Sequence, residues 1–186
     1  MKVPALALIA LAAVGLAFAP TAALAQTAPA APQAKPAPAS PPAQASVKIG
    51  AASITIDYAR PSMKGRTIMG GLVPYDKVWR TGANAATTLK TDAAITIGGT
   101  EIPAGTYTIY SLPGEKAWKL IINKQIGQWG TQYDQAQDFA RIDLKMESLP
   151  QPVELFTITL NSAGANAGQI VLEWERTRLT AAIAAK

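Results

Sequence analysis

Residues 106–123, TYTIYSLPGEKAWKLIIN, decide the fold. From Trp118 the pattern alternates, with Trp118, Leu120 and Ile122 set against Ala117, Lys119 and Ile121. Successive side chains of a strand point to opposite faces, so a period of two marks a half-buried β-strand. Pro113-Gly114 supplies a turn between this strand and the one over Thr106 to Ser111, and the two read as a hairpin.

The same period recurs on both sides. Ile54, Ile56 and Tyr58 oppose Ser53, Thr55 and Asp57; Ile142, Leu144 and Met146 oppose Arg141, Asp143 and Lys145; Ile170, Leu172 and Trp174 oppose Val171, Glu173 and Glu175. Gly98-Gly99 follows Ala94–Ile97, and Asn161–Gly168 breaks Phe156–Leu160 from Ile170. After Ala45 no window sustains a capped stripe of period 3.6; only Tyr133–Phe139 suits one helical turn. Eight to ten short strands, by their spacing, predict an all-β chain, an antiparallel β-sandwich that is jelly-roll-like or a flattened barrel.

One stretch follows no period. Residues 60–84, RPSMKGRTIMGGLVPYDKVWRTGAN, hold two prolines and four glycines, too many for a regular element. They also hold Ile68, Leu72, Val73, Val78 and Trp79, large side chains that predict one long, ordered, irregular loop packed on the sandwich.

The N-terminus reads as processing and spacing. Lys2, an apolar run from Ala5 to Ala19 and the small-x-small triplet Ala23-Leu24-Ala25 form a signal peptide over 1–25. Residues 26–45 are almost entirely Ala, Pro and Gln, a disordered linker before a single domain over 46–186. The expected location is periplasmic or secreted, with no stable membrane insertion once the signal is removed.

Composition excludes several chemistries. The 186 residues contain no Cys and no His, which removes disulfides, thiol nucleophiles, His-based triads and the usual zinc sites. A net charge of +5 lacks the dense basic stripe of a nucleic-acid reader. No D-x-D-x-D-G loop occurs, so neither a metal nor another cofactor is expected.

The blocks RPSMKGR, GGLVPYDKVWRTGANAATT, ITIGGTEIPAGTYTIYSLPG, WKLIINK and VLEWERTRL occur in an order that closely resembles the bacterial family of exported proteins named domain of unknown function 2911. The resemblance runs from about Val47 to Ile183. It implies a secreted, β-rich protein and carries no reaction or catalytic residues.

Basic charge gathers in the irregular stretch, where Arg60, Lys64, Arg66, Lys77 and Arg80 face Asp76 alone. Guanidinium groups hold carboxylates and phosphates through paired N–H donors, and glycine lets backbone amides approach an anion. The candidate ligand-binding residues are therefore Arg60, Lys64, Arg66, Tyr75, Trp79, Arg80, Gly82 and Asn84. They would take a polar or anionic small molecule or an envelope glycan. The competing reading makes Arg60 and Arg80 loop braces and Trp79 core.

With histidine absent, catalysis would fall to carboxylate pairs: Glu173 with Glu175, one face by alternation, or Asp134 with Asp138. Such pairs run glycoside hydrolysis when one has a raised pKa. Arg176 and Arg178 beside the first pair suit a solvated, ion-paired face equally well. Ser62 near Lys64 is a weaker nucleophile candidate. Trp118 and Trp174 read as core, Trp129 and Tyr133 as the better exposed aromatics. A noncatalytic binding module is expected first, a glycosidase-like enzyme or a module for a protein partner as the alternatives.

Overall fold

The computed structural model describes residues 39–186; the expected signal peptide and the expected linker as far as Pro38 lie outside them. Nine strands follow in chain order: β1 (Pro42–Ile49), β2 (Ala52–Ala59), β3 (Thr87–Thr91), β4 (Ile95–Ile97), β5 (Thr100–Ile102), β6 (Gly105–Leu112), β7 (Trp118–Asn123), β8 (Asp138–Ser162) and β9 (Ala167–Ala185). All neighbours pair antiparallel, in the order β1-β2-β3-β6-β7-β8-β9-β4-β5. The sheet does not close into a full barrel. It folds over a shared core in the manner of a sandwich or flattened barrel, the predicted class.

β8 makes the fold possible. Its first part, Asp138–Leu144, pairs with β7, and the rest, Lys145–Ser162, pairs with β9, so one strand belongs to both layers. Ile54 and Ile56 of β2 and Leu120 and Ile122 of β7 thus share a core with Ile158 and Leu160 of β8 and Ile170 and Leu172 of β9. Burying each such side chain is worth about 1.5–3 kcal/mol. Tyr58 ties the layers directly: its hydroxyl accepts the Ile158 N–H at 3.0 Å and donates to the Ile158 carbonyl at 3.3 Å.

Four expectations need correction. The expected linker ends too late, because Pro42 to Ala45 already pair with Ala59 to Ile56. Backbone pairing needs no large side chains, and proline is tolerated as the first residue of a strand. The strands expected around Ile142 and Phe156 are one strand of 25 residues, and β9 runs 19. Pro150 and Pro152 lie between Ile142 and Phe156, in the interval from Ser148 to Val153 where β8 bulges away from β9 and the ladder needs no proline N–H. Ile121, expected to face outward, is fully buried. It pairs with Tyr110 on a face covered by the loop of residues 124–137, which holds Tyr110 through Gln128 and Tyr133. Met146, expected inward, is exposed, beyond the β7-paired part of β8.

The turn signals fall where expected: Gly98-Gly99 joins β4 to β5, both with positive φ, as a two-residue hairpin loop requires. The helical turn is a short 3-10 segment, Gln135–Gln137, capped by the Asp134 side chain.

Candidate functional site

The irregular loop leaves β2 at Arg60 and rejoins the sheet at Thr87, and backbone hydrogen bonds fix its route. Pro61–Met63 lie along the bulged part of β8: Phe156 N–H donates to Pro61 and Met63 N–H to Glu154, both at 2.9 Å. Lys64, with φ +49, and Gly65 turn the chain, after which Ile68 and Val73 plunge into the core. Glu175 of β9 takes the next amides, its carboxylate accepting from Ile68 N–H at 3.4 Å and Met69 N–H at 3.1 Å. Trp79 then pairs with Ser111 of β6 through both its N–H and its carbonyl.

Among the described residues, four of the five non-glycine positions with positive φ belong to this loop: Lys64, Asp76, Thr81 and Asn84. A β-branched residue in that region is strained. Thr81 is held there by a 2.7 Å hydroxyl contact with Ser111 and by Thr87, whose hydroxyl donates to its carbonyl at 2.8 Å. The fifth is Glu175, turned by φ +53 towards the loop amides it binds.

A cleft of about 660 Å³ lies between this loop and residues 130–133. It brings together Lys64, Arg66, Trp79, Arg80, Gly82 and Asn84, six of the eight expected residues. Leu72, Pro74 and Val78 add apolar wall, and Tyr110, Gly130, Thr131, Tyr133 and Trp174 are among the other lining residues. Arg60 and Tyr75 lie elsewhere. Arg60 is a brace, donating to the Phe156 carbonyl at 3.1 Å and to Thr157 Oγ1 at 2.7 Å. Tyr75 covers Gly70, where a Cβ would come within 2.8 Å of its ring, and lines a separate groove with Met69 and Trp118.

Among the described residues, no carboxylate comes within 4.0 Å of the Lys64, Arg66 or Arg80 cationic groups. Arg66 donates to the carbonyls of Met63 at 2.9 Å and Ser62 at 2.7 Å, which fixes the fork without neutralising it. Among the described residues Arg80 donates only to the Gly82 carbonyl, at 3.4 Å. Gly82 is there for packing, since a Cβ would meet the Ala59 carbonyl and Thr87 Oγ1, each at 3.0 Å. Asn84 is occupied by the Ser40 carbonyl at 3.3 Å.

Trp79 joins core and cleft. It stacks on Trp174 at 5.7 Å and meets Phe156 and Trp118 edge-on at 5.0 and 6.4 Å.

The far wall was not assembled by sequence reasoning, because its residues sit in another loop. The glycine pair around Trp129 was the available signal: a Cβ on Gly130 would meet Arg80 Cδ at 2.7 Å, so that glycine seats the arginine. Tyr133 packs edge-on against Tyr110 at 4.9 Å. Its hydroxyl donates to Asp138 at 2.6 Å and accepts from Arg141 at 3.0 Å, leaving the ring to face the cleft.

Burial, then the bond to Asp138 and its charge, push the Tyr133 phenol up to about 12 against the pull of Arg141. The neutral form is favoured in the fold, so its stabilisation is complete below the ordinary tyrosine range near pH 10 and is lost as pH rises through about 12. An ultraviolet titration of the folded protein should show a phenol ionising near pH 12 that Tyr133→Phe removes.

The carboxylates considered for catalysis are each engaged. Glu173 pairs with Arg178 at 2.5 Å, Glu175 holds loop amides, and Asp134 caps Ala136. Asp138 binds Tyr133, Arg141 and Asn123. The positive φ at Glu175 breaks the alternation that would have put it beside Glu173. Ser62 and Lys64 both line the cleft, but their polar contacts are a carbonyl given to Arg66 and an amide given to Glu154. Among the described residues no three acidic side chains gather as a metal would require.

No curated protein and no solved structure matches the chain. A family model described as "Protein of unknown function (DUF2911)" matches residues 40–183 of the 186, from just before β1 to Ile183 in β9, and the chain therefore belongs to that family.

Proposed function

We propose that the cleft binds a small anionic molecule with an apolar or ring-bearing body, a sugar acid or a phosphorylated envelope component, and that the protein is a noncatalytic binding module. The observation that carries this reading is the trio Lys64, Arg66 and Arg80, without a facing carboxylate, around a cleft otherwise walled by Leu72, Val78, Trp79 and Trp174. A ligand acid group would supply the missing counter-charge through charge-assisted hydrogen bonds, and the apolar walls would hold its body. If the signal peptide is cleaved as its sequence suggests, the ligand is met in the periplasm or outside the cell.

The test is a thermal-shift titration of the purified protein with uronic acids, sugar phosphates, peptidoglycan fragments and inorganic phosphate. A ligand bound only by the native state raises the melting temperature by an amount that grows with the logarithm of its concentration above the dissociation constant. Arg80→Ala should weaken the responding ligand by about tenfold or more, the worth of one charge-assisted bond, with the fold intact. Arg66→Lys keeps the charge and loses the two-carbonyl seat, so it separates charge from geometry. If no anion shifts the transition and both variants are merely less stable, the arginines are braces and the proposal fails.

A further inference from the structure

We propose that the loop carrying Ile126 and Trp129 is a peripheral docking tip for an anionic lipid surface. Among the described residues five large hydrophobic side chains are exposed, and the two most exposed are Ile126 at 57% and Trp129 at 53%. A single exposed apolar residue on a mobile loop is ordinary. Here the loop is pinned from below: Gln128 Nε2 donates to the Tyr110 hydroxyl at 3.0 Å and to Thr108 at 3.2 Å, and Gly130 N–H donates to the Asn84 carbonyl at 3.1 Å. Ala85 forms a bridge with Trp129 as well. The backbone thus holds the two side chains outward.

Two observations favour a lipid surface over a protein groove. The tip stands clear of its surroundings: neither Ile126 nor Trp129 lines the cleft or the groove beside Tyr75, and Gly127 between them has nothing within 4 Å of the place a Cβ would occupy. A tip that stands clear fits a deformable bilayer without a matching cavity, and tryptophan favours the headgroup level of a membrane. The surrounding charge is positive on balance: Asp138 is paired with Arg141, and Lys124 and Arg80 stand against Asp134. Lys124 sits over the exposed Phe139 ring at 5.5 Å, and Arg80 packs beside Gly130 at the loop's base, with no carboxylate close to it. Cations around an apolar tip complement an anionic leaflet. No described helix is long and apolar enough to cross a membrane, and the docking proposed is peripheral.

The inference does not depend on the cleft having a ligand, and its test uses no soluble one. The purified protein is floated with vesicles of phosphatidylglycerol and phosphatidylcholine, and separately with phosphatidylcholine alone. The wild type should bind the anionic vesicles, bind the neutral ones at least about tenfold more weakly, and release as salt rises. Ile126→Ser with Trp129→Ser should reduce binding at least about tenfold, as expected for removing inserted apolar area, with an unchanged melting temperature. Vesicles brominated near the headgroup should quench wild-type fluorescence at Trp129; Trp118 and Trp174 are only 2% exposed, and Trp79, part-exposed in the cleft, is told apart by the Trp129→Phe variant. Trp129→Phe keeps an apolar tip and should remove that quenching, which decides the matter even if the double variant fails to fold. No binding to anionic vesicles overturns the proposal. So does binding without quenching, which would assign the contact to the cations alone.

Discussion

Trp79→Ala should lower the stability of the folded protein by about 3–5 kcal/mol, the range for deleting a large buried aromatic side chain. The residue is part-exposed towards the cleft, yet it meets three aromatic rings, Trp174, Phe156 and Trp118, and its backbone is laced to Ser111. Those rings belong to β9, β8 and β7, so the loss is felt in both layers at once. Their packing leaves little room for collapse around the void, and the cavity adds to the lost transfer energy. Urea unfolding reads the effect as a fall in midpoint at constant slope. Arg80→Ala, one residue along, is the internal control. Its one long contact with Gly82 predicts a change within about 0.5 kcal/mol, as for most substitutions away from packed features. If the two variants lose the same stability, the division of this segment into a packing residue and a ligand residue is wrong.

Glu175→Ala should cost about 2–3 kcal/mol, because hydrogen bonds to a charged acceptor carry more than neutral ones and the Ile68 amide is left in a buried setting. The loss should be local before it is global. Hydrogen exchange at Ile68 and Met69 should accelerate ahead of the β2 and β7 amides, because these bonds fasten the loop to β9. Alanine leaves the left-handed conformation as strained as glutamate does. Glu175→Gly removes the same carboxylate and relieves that strain, so it should be more stable than the alanine variant by about 1 kcal/mol. The reverse order would mean that the strain attributed to φ +53 is not there.

What the sequence discloses is what neighbours along the chain determine. The β6–β7 hairpin and the Gly98-Gly99 turn were legible because alternation and turn chemistry act within a few residues. β8 was not, since nothing within a few residues of Met146 or Phe156 shows that β9 pairs with the chain on both sides of the bulge between them. Ile121 was placed outward because nothing in its own strand announces the covering loop, and Glu175 was paired with Glu173 because the bond that turns it comes from the β2–β3 connection. The same divide runs through the cleft. Its basic, glycine-broken wall stood out as a contiguous segment, whereas Gly130 and Tyr133 arrive through tertiary packing, and Arg60 leaves the set because a carbonyl on β8 claims it.

The sharing of β8 between two layers also bears on how the chain folds. Neither layer can be completed without the other's strand, because β8 ends the ladder that begins at β1 and begins the one that finishes at β5. Partners such as Tyr58 and Ile158, 100 residues apart, meet only after long loops have closed. A topology of such high contact order folds slowly and leaves little room for a half-formed sandwich. Denaturation should therefore be a single cooperative step, and the two layers should melt at one midpoint whichever reports it.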